Sequence, residues 1–197
     1  MAPVDVGPAG PAEVRAAAAA LAQGAIVAFP TETFYGLAVP ALDAAAVARL
    51  CALKGRDLTQ AVAVIVDSVA MLERLVVEVP PLARALIARH WPGPLTLVLP
   101  ARPEVPPPLV SAYGVGARVS PHPLASALVR ACGVPLTATS ANRMGRPPAC
   151  TAAEVRAAFG ADVHVLDGGT TAGGPPSTVA YLEGDRVVVL RAGAITL

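Results

Sequence analysis

Lysine is nearly absent. Of the fifteen basic residues in this 197-residue chain, fourteen are arginine and one is Lys54. Asparagine is as scarce, with Asn142 alone. Charged residues make up 15% and the net charge is +1, which excludes an extended nucleic-acid-binding face but leaves room for a local basic cavity. Aromatics at 4% are too few for a platform that stacks single-stranded bases. The three cysteines, Cys51, Cys132 and Cys150, are odd in number and show no C-x-x-C spacing. They suit thiols of a reducing cytosol better than a disulfide framework or zinc. His90, His122 and His164 have no metal-ligand spacing with one another or with cysteine. The G-x-x-x-x-G-K-[ST] and G-x-S-x-G motifs are missing, and no G-x-G-x-x-G follows a strand. Long apolar runs are missing too. AAAAALAQGAIVAF (16–29) is broken by Gln23 and Gly24 and is too short to span a bilayer. The segment before it carries Asp5 and Glu13 against Arg15, so it lacks the basic start of a signal peptide. A soluble, cytoplasmic protein without a membrane association is expected.

What the chain does have is apolar bulk, at 54% of residues, enough to bury a sizeable core. Pro11 fits the first turn of a helix running to about Ala22, with Gly24 as terminator. Strands are expected at 25–29, 61–66, 96–100, 115–119, 135–139, 163–167, 178–182 and 186–190, the last two as a hairpin turning at Glu183-Gly184-Asp185. Asp43 caps a second helix that stops near Gly55; others follow at 68–77, behind Ser68, at 81–90 and at 123–131. Thr151 and Glu154 form a capping box for a helix to Phe159. The interleaving predicts an α/β fold, a single domain over 1–197 with a twisted mixed sheet flanked by helices.

Four loops follow strands and carry unusual polar residues. PTETFYG (30–36) offers the hydroxyls of Thr31, Thr33 and Tyr35, or is an ordinary turn. KGR (54–56) reads as an anion clamp of Lys54 and Arg56. It reads equally as a helix end, where the dipole favours a cation and Gly55 closes the turn. TSANRMG (139–145) presents Ser140 and Asn142 at the end of a buried strand, where ligands bind in α/β folds. The competing reading is an Asx turn, weakened by the absence of asparagine from every other turn. GGTTAGGPPST (168–178) is a lid or a linker, and its Ser177 and Thr178 can donate to an anion. Together these residues hold no evident nucleophile or general base, a composition suited to electrostatic catalysis on a polyanion.

Seven ordered segments, FPTETFYGLA, LKGR, RHWPGPLTLVLPA, ARVSPHPLA, PLTATSANRMGRPP, PSTVAYL and LRAGAI, resemble the YrdC/TsaC family of threonylcarbamoyl-AMP synthases. The similarity runs from about residue 13 to 195, and the chain resembles the short form with one YrdC-like domain. The resemblance implies a concave basic cavity. It also implies a reaction in which L-threonine, bicarbonate and ATP give threonylcarbamoyl-AMP and pyrophosphate. That product is the donor for N6-threonylcarbamoyladenosine in tRNA, through a downstream tRNA-threonylcarbamoyl transferase machinery. ATP is a substrate, with Mg2+ carried on it and no protein metal site. The family's Lys-Arg-Ser-Asn set falls on Lys54, Arg56, Ser140 and Asn142, as catalytic and ATP-binding residues. Arg191 falls on a nucleotide position, and Thr31, Thr33, Arg118 and Ser177 fall on threonine-binding ones. The chain departs from the pattern at Asp57, at Ala61-Val62 and at Ser120, where many members carry proline. Two other functions fit the same cavity: a double-stranded RNA or tRNA-binding module, and a paralogue making another carbamoyl adenylate.

Overall fold

A computed structural model describes residues 9–55 and 61–197. Helix α1 (Pro11–Ala22) starts where Pro11 predicts and buries Val14, Ala17 and Leu21, the three- and four-residue spacing of a single helical face. Strand β1 (Ile26–Pro30) is buried throughout and turns back at 31–34 into β2 (Tyr35–Ala38). The loop of PTETFYG is therefore only residues 31–34: Pro30 ends β1, and Tyr35 and Gly36 begin the buried β2. Helix α2 (Ala44–Lys54) is capped by Asp43, whose carboxylate accepts from the Ala46 amide at 2.9 Å.

The run at 61–66 is extended, but only β3 (Val64–Ile65) lies in a ladder. Val62 donates to the Pro108 carbonyl instead, so a short 3-10 turn (Pro107–Leu109) supplies its partner. The helix expected at 68–77 is a single turn, α3 (Val69–Leu72). The chain then swings away so that Val77 donates to the carbonyl of Pro100. Helix α4 (Pro81–His90) leads into β4 (Leu95–Leu99), followed by the short β5 (Val110–Ser111) and β6 (Gly114–Arg118). Helix α5 (Pro123–Cys132) precedes β7 (Leu136–Thr137) and β8 (Thr139–Ser140). Helix α6 (Ala152–Phe159) has the reciprocal capping box read from Thr151 and Glu154. Strand β9 (Val163–Val165) and the hairpin β10 (Thr178–Glu183) and β11 (Arg186–Arg191) complete the order.

The fold is mixed α/β, with its strands in two sheets. One runs β8-β2-β1-β9 and the other β11-β10-β4-β6-β3-β7, with β5 beside β6. Both mix parallel and antiparallel neighbours. The single strand expected at 135–139 is divided between them. Thr137 donates its amide to Val39, next to β2, while Ala138 donates its own to Ala63, next to β3. The Thr137 hydroxyl accepts from the Val39 amide at 2.9 Å, a second tie where the chain crosses. One apolar cluster fills the interior and takes in residues of both sheets, including Phe29, Leu37, Leu97 and Val115. TSANRMG starts directly after this crossing, at Thr139, so the segment leaves from the junction of the two sheets.

Candidate active site

A cavity of about 890 Å3 opens between the crossing segment and the larger sheet. Lys54, Ser140 and Asn142 line it, as do Thr31 and Thr33 of the hairpin turn. Arg118 lines it from β6, Ser177 from just before β10 and Arg191 from β11. Arg56 and Asp57 lie outside the described residues.

Lys54 is the last residue of α2, and Gly55 closes the helix in the left-handed region at φ 60°. It also continues the buried stripe of Val47, Leu50 and Cys51, so its side chain runs inward and is only 7% exposed. Its ammonium donates to the Thr139 hydroxyl at 3.0 Å, to Asn142 Oδ1 at 3.2 Å and to the Ser140 carbonyl. Ser140 Oγ donates to Asn142 Oδ1 at 2.6 Å, and Asn142 Nδ2 donates to the Arg146 carbonyl at 2.6 Å. Lys54 thus ends the helix and lines the cavity at once. A compact charge sits among oxygens that converge on one nitrogen, where a planar fork has no matching set.

Arg118 is buried and paired with Glu32, the residue between Thr31 and Thr33. Glu32 also accepts from the Ser120 hydroxyl at 2.7 Å. Across the cavity Arg191 donates to the Ser177 carbonyl at 2.9 Å and reaches Ser177 Oγ at 3.3 Å. Ser177 Oγ shares a 2.9 Å hydrogen bond with Thr96. Burial, and then the nearby charge of Arg118, push the pKa of Arg191 down. The two guanidiniums bring like charge into one cavity, and a bound anion would offset it. Of the two hairpin hydroxyls, Thr31 donates to the Phe34 carbonyl at 2.7 Å and so closes the turn.

The Gly-rich segment is pinned rather than loose. The buried Tyr35 hydroxyl donates to the Gly169 carbonyl at 2.8 Å and accepts from the Gly168 amide at 3.0 Å. Gly173 donates to the Thr33 carbonyl at 2.7 Å, and Thr171 to that of Cys150 at 2.9 Å. Further on, Thr178 does not face the cavity: its hydroxyl donates to the Ile195 carbonyl at 2.6 Å. The C-terminal turn packs directly behind Ser177, and Gly193 permits it, since a Cβ there would lie 2.3 Å from the Pro176 carbonyl oxygen.

Residues 19–193 match the Sua5/YciO/YrdC family model, described as telomere recombination. The chain belongs to the Sua5/YciO/YrdC family. It is 44% identical to a threonylcarbamoyl-AMP synthase of Chromohalobacter salexigens, over 85% of this chain and 91% of that one. It is 40% identical to the threonylcarbamoyl-AMP synthase of Bacillus subtilis, over 93% of this chain and 54% of that one. The structure of P. abyssi Sua5 complexed with L-threonine superposes with a TM-score of 0.87 at 38% identity, covering 93% of this chain and 55% of that one. The chain thus spans nearly all of the first relative and about half the length of the other two.

Sequence reasoning missed two polar residues of the cavity wall, Thr139, which holds Lys54, and Thr96, which holds Ser177. It also missed Glu32, which pairs with Arg118, and read Ser120 only as a departure from the family pattern, not as the partner of Glu32. Among the described residues no cluster of His, Cys, Asp and Glu is arranged to hold a metal ion. No helix among them is long and apolar enough to cross a membrane. His122 caps α5, its Nδ1 accepting from the Leu124 amide at 3.3 Å, and burial pushes its pKa down against an opposing pull from Glu32.

Proposed function

We propose that this chain is a threonylcarbamoyl-AMP synthase, an enzyme that joins L-threonine, bicarbonate and ATP into threonylcarbamoyl-AMP and pyrophosphate. The observation that carries the reading is the meeting, in one cavity, of the Lys54–Ser140–Asn142 cluster with the Arg118–Ser177–Arg191 group. It occurs in a chain 44% identical to a synthase of that name. Condensing the threonine amine with bicarbonate releases water and leaves a carbamate. A carbamate oxygen then forms the bond to the α-phosphorus of ATP as the bond to pyrophosphate breaks.

In this reading Arg118, Ser177 and Thr33 bind threonine, and Thr31 shapes the turn that presents Thr33. Lys54, Arg56, Ser140 and Asn142 address the phosphates, and Arg191 the nucleotide. Lys54 acts as a fixed positive charge at the base of the Ser140–Asn142 loop. Negative charge moving toward the departing pyrophosphate is stabilised by donors already in place. Mg2+ would arrive with the triphosphate. The labile product would pass to a transferase acting on tRNA, in the cytoplasm, where ATP and tRNA are both present.

Incubation with ATP, threonine and bicarbonate, followed by mass spectrometry, tests the reading. Pyrophosphate and the adenylate should appear only when all three are supplied. Equal pyrophosphate without threonine would leave a simple ATPase. An RNA-binding module would instead show no turnover and a tRNA affinity falling steeply with salt.

A further inference from the structure

We infer that Ser120 and Glu32 are positioning residues that aim the guanidinium of Arg118 at the carboxylate of the amino-acid substrate. The inference rests on the threonine reading above. Arg118 and Glu32 form a pair whose side chains are only 9% and 17% exposed. The two carboxylate oxygens have separate tasks: Oε1 accepts from Arg118 Nη1, and Oε2 accepts from Ser120 Oγ. Ser120 is fully buried and is itself fixed from two directions. Its hydroxyl accepts from the His122 amide at 3.2 Å, and its carbonyl accepts from Ser126 Oγ at 2.9 Å. Orientation therefore passes from the start of α5, through Ser120 and Glu32, to Arg118.

A guanidinium presents five N–H donors in a rigid fork. Glu32 accepts from Nη1 alone. The remaining donors make no hydrogen bond within the described structure, yet no buried side-chain nitrogen or oxygen there is left unpaired. Those donors consequently open into the cavity that Arg118 lines. Holding Nη1 on Glu32 leaves the other donors of the fork free to meet a carboxylate in the cavity. Glu32 also lies between Thr31 and Thr33, so one short turn sets both the hydroxyls and the cation of the same pocket. Its charge serves a second end. Arg118 and Arg191 disfavour one another, and a buried guanidinium that loses its counter-ion beside another cation is driven out of place. Alanine or proline at position 120 lacks the hydroxyl that Oε2 accepts from.

Initial rates with threonine varied at saturating ATP and bicarbonate provide the test. The unaltered chain must first show threonine-dependent pyrophosphate release; without it the synthase reading fails, independently of this inference. Glu32→Gln should raise the threonine KM about tenfold or more, the scale of one charge-assisted hydrogen bond. The ATP KM should stay within about twofold, since the phosphate cluster is separate. Ser120→Ala should raise the threonine KM by about threefold, and adding it to Glu32→Gln should cost nothing more, because Ser120 acts through Glu32. An unchanged threonine KM in either single variant, or full additivity in the double variant, overturns the inference. A lowered threonine KM in Glu32→Gln also overturns it, marking Glu32 as a competitor for Arg118. If Glu32→Gln does not fold, Ser120→Ala alone decides on the same criterion.

Discussion

Replacing Lys54 tests the centre of the site from two directions. In Lys54→Ala the ammonium disappears from a position that is 7% exposed and bonded to Thr139, Ser140 and Asn142. Hydrogen bonds to a charged group are each worth about 1.5–3 kcal/mol. The Ser140 carbonyl and the Thr139 hydroxyl can turn partly to other partners, so the net loss of stability is smaller than a sum, about 2–3 kcal/mol. Activity should suffer more than stability. Ser140 and Asn142 keep their mutual bond but lose the anchor that fixes both against α2. The loss of a preplaced electrostatic donor costs about two to three orders of magnitude in kcat. Lys54→Arg keeps the charge and so isolates geometry. The acceptors converge on one nitrogen, whereas a guanidinium spreads its donors over a plane and needs a wider space. Its kcat should fall at least about tenfold despite unchanged net charge. Urea denaturation and the pyrophosphate assay, run on both variants, separate the two effects. Turnover in Lys54→Arg equal to that of the unaltered chain would refute the argument and make the lone lysine an accident of composition.

Thr33→Val should raise the threonine KM about tenfold with little change in the ATP KM, because a hydroxyl in a hydrogen-bonding pocket is worth about 1–3 kcal/mol; equal KM values would reduce Thr33 to a turn residue. Replacing Cys51, Cys132 and Cys150 by alanine should lower the melting temperature, chiefly through the buried Cys51, and leave turnover per folded molecule intact. Burial pushes the Cys132 thiol up to about 11, so iodoacetamide at neutral pH should label it far more slowly than a free cysteine, as followed by peptide mass spectrometry. His122 has a folded pKa below its unfolded value, so the unfolded chain binds the extra proton first as pH falls. Stability should drop as pH is lowered through the ordinary histidine range and level off once pH is below the folded value. His122→Asn keeps a capping acceptor and should flatten that part of a pH–melting curve; an unchanged slope would assign the titration elsewhere.

Much of this was readable in the residues, for identifiable reasons. Helices α1, α2 and α6 begin where Pro11, Asp43 and the Thr151–Glu154 pair start them, because such signals act locally, and α4 and α5 fall on the ranges expected at 81–90 and 123–131. The inward course of Lys54 was also readable: continuing Val47, Leu50 and Cys51 by one more turn arrives at it. The pairing of Glu32 with Arg118 was not, since 86 residues separate them and neither segment signals the other. Thr96 and Thr139 look like ordinary strand residues, and only the assembled sheets give their hydroxyls a task. The apolar run at 61–66 was over-read because a ladder is as long as its neighbours allow, and β6 and β7 each match it over two residues. The division of 135–139 between two sheets was hidden for the same reason: periodicity describes a strand's faces, not its partners.

That division makes residues 137 and 138 adjacent reporters on separate structures. The Thr137 amide is protected by a carbonyl beside the smaller sheet, and the Ala138 amide by one beside the larger. If the sheets open together, the two neighbouring amides exchange with solvent hydrogen at one common opening free energy. If one sheet loosens alone, the protection of two consecutive residues diverges, and the sign of the difference names the sheet that gave way. Asn142 lies only a few residues beyond, so the same pair of signals would register whether a bound nucleotide tightens one wall of the cavity or both.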